Sequence, residues 1–215
     1  MKFEDLGQYW KRIYTLEWQS VCHKSKAIAT LIVSDKGEII SEGRNGVGEN
    51  SIPNPAVSHA EAEAIRNLDI HKYPLVKQYT LYAALEPCPM CMGTMVMGGI
   101  RNVVIAAHDD HGGAIGLMEH SPYIRAKKIK VSWMPKEYAD VQRGLQSVRE
   151  YLYNMNMAKR TRMLQDFSVY NKEGVNAATH LIEEGCFREK NPEDYSIAEI
   201  FDKLTAYMKR ESVDR

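Results

Sequence analysis

The chain has no excess of charge, no long apolar run and few cysteines. Lys plus Arg and Asp plus Glu both number 28 in its 215 residues, so the formal net charge is zero. That balance removes any global electrostatic reason to grip a polyanion, although it leaves room for a local basic face. No stretch approaches the roughly 18 apolar residues of a membrane span. The opening Met1-Lys2-Phe3-Glu4-Asp5 also lacks the basic-then-apolar run of a signal peptide. The expectation is a cytoplasmic protein with no membrane partner. Of the four cysteines, Cys22 and Cys186 are isolated, and Cys88 and Cys91 form a close pair. This usage argues against a disulfide framework and fits a reducing compartment, with the pair free for metal. The chain has no internal repeat and no low-complexity tract.

What is present is ordinary for a globular domain, with 44% hydrophobic and 26% charged residues. The length suits one domain with an appendage. Leu6, Tyr9, Trp10, Ile13, Leu16 and Val21 recur at helical spacing and predict an amphipathic helix over residues 4–24. An apolar run over 27–34, the turn Asp35-Lys36-Gly37 and a second run over 38–42 predict a hairpin. A loop over 43–57 precedes a helix over 58–68. Further strands are expected at 78–84, 102–107 and 128–133, and further helices at 89–97 and 136–154. The alternation predicts a three-layer α-β-α sandwich around a mixed five-stranded sheet, with additional C-terminal helices. Residues 1–156 are expected to form the catalytic domain and 157–215 a helical extension. Ile197, Ile200, Phe201, Leu204 and Met208 give its last helix an apolar face.

Two motifs carry chemistry, His59-Ala60-Glu61 and Pro87-Cys88-Pro89-Met90-Cys91. Both fall where a loop or strand end enters a predicted helix. Two cysteines spaced i and i+3 share one helix face and can hold one ion without strain. Amides at a helix start carry partial positive charge, which favours the thiolate form that metals need. His59 supplies an imidazole nitrogen. Three ligands with a fourth position left for water are the stoichiometry of a catalytic zinc site, and Zn2+ is the expected cofactor. Glu61 is the expected proton carrier. Other readings exist: Ser58-x-x-Glu61 is also a capping box, and Cys-x-x-Cys is also a redox pair or half of a structural zinc site. Met90, Met92, Met95 and Met97 crowd the same helix and read as pliable packing.

These motifs resemble the cytidine/deoxycytidylate deaminase superfamily, whose H-x-E and P-C-x-x-C signature they reproduce. The run from Ala84 to Gly93 is similar to the guanine deaminase and tRNA adenosine deaminase branch. The likeness in element order covers roughly residues 1–154, and its motifs lie within about 45–117. It implies His59, Cys88 and Cys91 as zinc ligands, Glu61 as the proton shuttle and a homodimer. It also implies Asn45, and the backbone near Ala60 and Cys88, as substrate contacts; the competing reading of Asn45 is a turn residue. The loop from His108 to Gly113 is richer in His and Asp than relatives suggest. Either Asp109 or Asp110 joins the substrate rim, or the loop is simply solvated. Before His59 this chain has Asn54-Pro55-Ala56 where relatives commonly carry Asp-Pro-Thr. The tail has no counterpart in the family; it caps a site or enlarges a dimer surface.

Three functions follow as expectations. The first is hydrolytic deamination of a small nucleobase or nucleoside, guanine-like or cytosine-like, which zero net charge favours. The second is tRNA adenosine deamination at a flipped-out wobble base, supported by the basic clusters Lys127-Lys128-Lys130 and Lys159-Arg160-Arg162. The third is a zinc-stabilised interaction module without turnover, which would not need Glu61 beyond capping.

Overall fold

In the computed structural model the backbone is described for residues 1–213, with side chains through residue 209. A short 3-10 turn at Phe3–Asp5 precedes helix α1 (Gln8–Cys22), so the first helix starts later than its periodicity suggests. Gly7, in extended conformation, is the residue that separates the two. Strand β1 (Ala29–Val33) and strand β2 (Ile39–Arg44) make the expected hairpin, and helix α2 (Ala60–Arg66) follows the long loop. Strand β3 (Thr80–Leu85), helix α3 (Pro89–Gly98) and strand β4 (Asn102–Ala107) form a right-order β-α-β unit with parallel strands. Two single-turn helices, α4 (Leu117–His120) and α5 (Pro122–Arg125), lead to strand β5 (Lys130–Trp133). Lys128 has φ +52°, a left-handed turn that delays the strand by two residues relative to the sequence reading. The chain ends in helices α6 (Lys136–Tyr153), α7 (Met157–Glu183) and α8 (Ile197–Val213).

The sheet order is β2-β1-β3-β4-β5, antiparallel across the first three strands and parallel across the last three. β1 is buried at every position, because helices cover both faces. One face sends Leu31 and Val33 into a cluster with α1, α6 and the C-terminal helices. The other sends Ile32, Leu81, Ala83 and Ile105 against α2 and α3, where Met92 and Met95 are fully buried as packing. The fold is therefore the expected three-layer α/β sandwich with a mixed five-stranded sheet. No helix among the described residues is long and apolar enough to cross a membrane.

The C-terminal helices join this core. Val175, Ala177, Ala178 and Leu181 of α7, with Ile197, Ile200, Phe201 and Leu204 of α8, pack with α1 and α6. α6 and α7 approach closely at Gly174, where an added Cβ would sit 2.0 Å from the Asp140 carbonyl oxygen. α7 is broken at Asn171, whose φ and ψ of −126° and 46° are not helical. The break is held by the buried Asn171 amide, which donates to Asp140 Oδ1 at 2.8 Å, while Lys136 bridges Asp140 and Glu173. The half of α7 before the break is thereby directed away from the core, over the carboxyl ends of the strands.

Candidate active site

Two helix starts meet beyond the sheet. α3 begins directly after β3, with Cys88 as its N-cap, Pro89 in its first turn and Cys91 on the same face. Proline is suited to a first turn because its missing N–H would have no partner there. α2 begins at Ala60 with His59 as its N-cap. Its position is set by a close approach to β2, since a Cβ at Gly43 would fall 2.1 Å from the Ala60 carbonyl oxygen. Glycine is what lets the helix lie this near the strand.

The result is convergence. His59 Nδ1 lies 3.5 Å from Cys88 Sγ and 3.5 Å from Cys91 Sγ, and the three donor atoms all fall within 4.8 Å of one another. Cys91 is fully buried, while His59 and Cys88 are half-buried and open to a cavity. The Glu61 carboxylate, 3% exposed, accepts from Cys91 Sγ at 3.3 Å. The capping box does not form: Ser58 Oγ bonds Glu63 instead, at 2.8 Å, which leaves the Glu61 carboxylate free for the cysteine side.

The donors perturb one another. The neighbouring Cys91 sulfur, with a further contribution from His59, lowers the Cys88 thiol to about 4. Cys91 is pushed far up by the adjacent Cys88 sulfur, and burial reinforces this. The His59 imidazole is raised by its hydrogen bond to Cys88. Burial raises the Glu61 carboxyl above its ordinary value. A cation would replace the protons this cluster now shares. Two sulfurs and one imidazole nitrogen form the soft, tetrahedral-compatible donor set that suits zinc, and no fourth protein ligand completes the group among the described residues.

The cavity beside these donors has a volume of about 290 Å3. Asn45, 1% exposed, lines it just after β2. Its Oδ1 accepts from the Val47 amide at 3.1 Å and the Lys26 amide at 3.4 Å, so it is a turn residue and a cavity residue together. Ala60 is buried at the first position of α2, whereas Cys88 lines the cavity itself. The loop after β4 borders the cavity, since Asp109, Asp110, His111 and Gly112 all line it, while His108, Asp110, His111 and Gly113 are also exposed to solvent. Glu86 fixes this loop by accepting from the amides of Asp109 and Ile115.

Several wall residues were not legible as site residues in the sequence. Arg143 of α6 is 4% exposed, donates to the His108 carbonyl at 2.6 Å and lies 3.5 Å from Asp109. Gln146, one turn further along α6, lines the same cavity. Met163, Asp166 and Phe167 come from the first half of α7, so the tail contributes to the site of its own chain. The two basic clusters lie elsewhere. Lys127 stands over the Tyr123 ring and Arg160 over the Tyr151 ring, and no member of either cluster lines the cavity.

Comparison with known proteins agrees with this geometry. Residues 4–150 match the sequence profile of the MafB19-like deaminases. A tRNA-specific adenosine deaminase of Streptococcus pyogenes serotype M3 is 31% identical over 160 residues, which cover 73% of this chain and 80% of that protein. A tRNA-specific adenosine deaminase of Haemophilus influenzae is 39% identical over 95 residues, 43% of this chain. The match spans about half of that relative, 53% of its length. Among solved structures, a guanine deaminase from Nitrosomonas europaea superimposes with a TM-score of 0.52 at 21% identity, covering 68% of this chain and 86% of that one. At that identity the likeness concerns the fold alone.

Proposed function

Because the chain belongs to the MafB19-like deaminase family, we propose that it hydrolyses the exocyclic amino group of a nucleobase or nucleoside and releases ammonia. The observation that carries this reading is the meeting of His59 Nδ1 and both cysteine sulfurs within 4.8 Å, with the buried Glu61 carboxylate 3.3 Å from one of them. His59, Cys88 and Cys91 would hold zinc, which would supply the Lewis acidity that makes water a competent nucleophile near neutral pH.

The protein's own groups do the rest. Glu61 takes a proton from the attacking water and passes it to the ring nitrogen next to the amino-bearing carbon; it then takes the remaining O–H proton of the tetrahedral adduct and delivers it to the amine as the C–N bond breaks. Water's oxygen becomes the new carbonyl and nitrogen leaves as NH3, so the atoms balance without any redox partner. Burial suits Glu61 to this work, because a carboxyl raised above its ordinary value is a better acceptor at neutral pH. Asn45 has its Oδ1 tied to backbone amides, which leaves Nδ2 to donate to the substrate. Amides at the start of α2, near Ala60, and Cys88 at the start of α3 orient the base, and Asp109 lines the same cavity.

A second reading, adenosine deamination in tRNA, is favoured by the names of the relatives from Streptococcus and Haemophilus. Salt separates the two. Affinity for tRNA falls steeply as salt rises, through counterion release, while a neutral base barely responds. The test of the chemistry itself is Glu61→Gln. That variant retains bound zinc and its melting temperature, and ammonia release falls about 100- to 10,000-fold. Turnover at the parental rate would remove Glu61 from the mechanism.

A further inference from the structure

The α6–α7 wall of the cavity carries acceptors that no described residue satisfies. Gln146 is 2% exposed, and its Oε1 has no hydrogen-bond partner among the described residues. Asp166, half-buried on the first half of α7, lines the same cavity, and no described residue pairs with its carboxylate. Phe167, the next residue, also lines it, and the Arg143 guanidinium braces that ring 4.6 Å from its centroid. Both α7 residues lie beyond the stretch that matches the family profile. Gln146 Oε1 is enclosed behind the wall, whereas the Asp166 carboxylate is reached from the cavity and is open to a donor from whatever fills it.

We infer that the α6–α7 wall selects the substrate, and that it takes a planar, phosphate-free heterocycle offering N–H donors to Asp166 and its ring to Phe167. This assignment rests on the deaminase reading above. An amino-substituted purine or pyrimidine carries adjacent N–H groups on one edge, and the two oxygens of a carboxylate match that edge. Charge argues the same way. Asp109, Asp110 and Asp166 line the cavity, the Arg143 charge is enclosed beside Asp109, and Lys26 is the other lysine or arginine lining it. A phosphate entering there meets net negative charge and is repelled.

The test uses the full-length, zinc-loaded protein with guanine, cytosine and adenine, their nucleosides and 5′-monophosphates, and an anticodon stem-loop RNA. Ammonia release and calorimetric binding are measured in parallel for the parent, Asp166→Asn and Phe167→Leu. The parent is expected to prefer a phosphate-free compound. Asp166→Asn raises KM and Kd for it by about 10- to 100-fold, the range for a hydrogen bond to a charged group. Its kcat stays within about threefold and its zinc content is unchanged. Phe167→Leu also raises KM, so misfolding of one variant leaves the other to decide. An unchanged KM in both variants, or a parental preference for monophosphates or RNA, overturns the assignment. Binding that Asp166→Asn weakens, without ammonia release from any compound, sinks the deaminase reading and leaves the wall assignment standing. Ammonia release that is indifferent to both variants does the reverse, and neither binding nor turnover with any compound ends both.

Discussion

Replacing Gly174 by alanine sets two effects of opposite sign against each other. Alanine is the better helix former by about 1 kcal/mol, so on propensity alone Gly174→Ala stabilises α7. The added Cβ, however, would lie 2.0 Å from the Asp140 carbonyl oxygen, well inside the 3.0 Å below which real Cβ contacts are essentially never found. The obstacle is backbone, which cannot swing aside as a side chain does, so α7 must withdraw from α6. Overpacking of a close contact costs about 1–3 kcal/mol, and a clash this deep belongs at the top of that range. The net expectation is a loss of about 2 kcal/mol. For a chain of this size that lowers the melting temperature by about 4–8 °C. Thermal and urea denaturation of parent and variant, with zinc held constant, measure it. An unchanged or higher melting temperature would show that α6 and α7 do not touch at Gly174, and the placement of the cavity roof would fall with it.

Other expectations follow from the buried ionisable groups. In the metal-free protein, Cys88, lowered to about 4, should be alkylated by iodoacetamide at pH 6, with zinc protecting it. Cys22, pushed up to about 11 by burial, should react slowly under the same conditions; peptide mass spectrometry distinguishes them, and equal rates would contradict the assignment. Glu17 on α1 is fully buried, neither carboxylate oxygen has a partner among the described residues, and burial raises its carboxyl well above the ordinary value. Its stabilising contribution is therefore complete below the unfolded-state pKa and is lost as pH rises toward the folded value. Each pH unit in that window costs about 1.4 kcal/mol. Glu17→Gln should flatten the fall in urea midpoint between pH 5 and pH 8, and an identical slope in both proteins would show that Glu17 does not titrate there.

The motif half of the site was legible because its geometry is local. A Cys-x-x-Cys pair at a helix start and a His-x-Glu at another need no distant information beyond the sandwich that brings the starts together. Within that half, the capping pattern misleads for a simple reason: two glutamates follow Ser58, and the serine pairs with Glu63. The α6–α7 half was not legible. Arg143 and Gln146 look like the polar flank of a helix whose apolar stripe is Val141, Leu145 and Val148. Their burial is created only when α7 folds back across them, a contact between distant parts of the chain. Phe167 carried no distinguishing signal, since Met163, Leu164, Val169 and Tyr170 flank it. The acidic loop after β4 was ambiguous, since solvated loops and cavity walls share a composition, and this loop is both, with Glu86 pinning its amides.

The interruption at Asn171 divides α7 into a stretch that fills the interior and a stretch that lines the cavity. Under the proposed assignment, substitutions upstream of the break would redraw what is admitted without loosening the packing downstream of it. Tolerance to sequence drift and precision of recognition would then reside on separate segments of one interrupted helix.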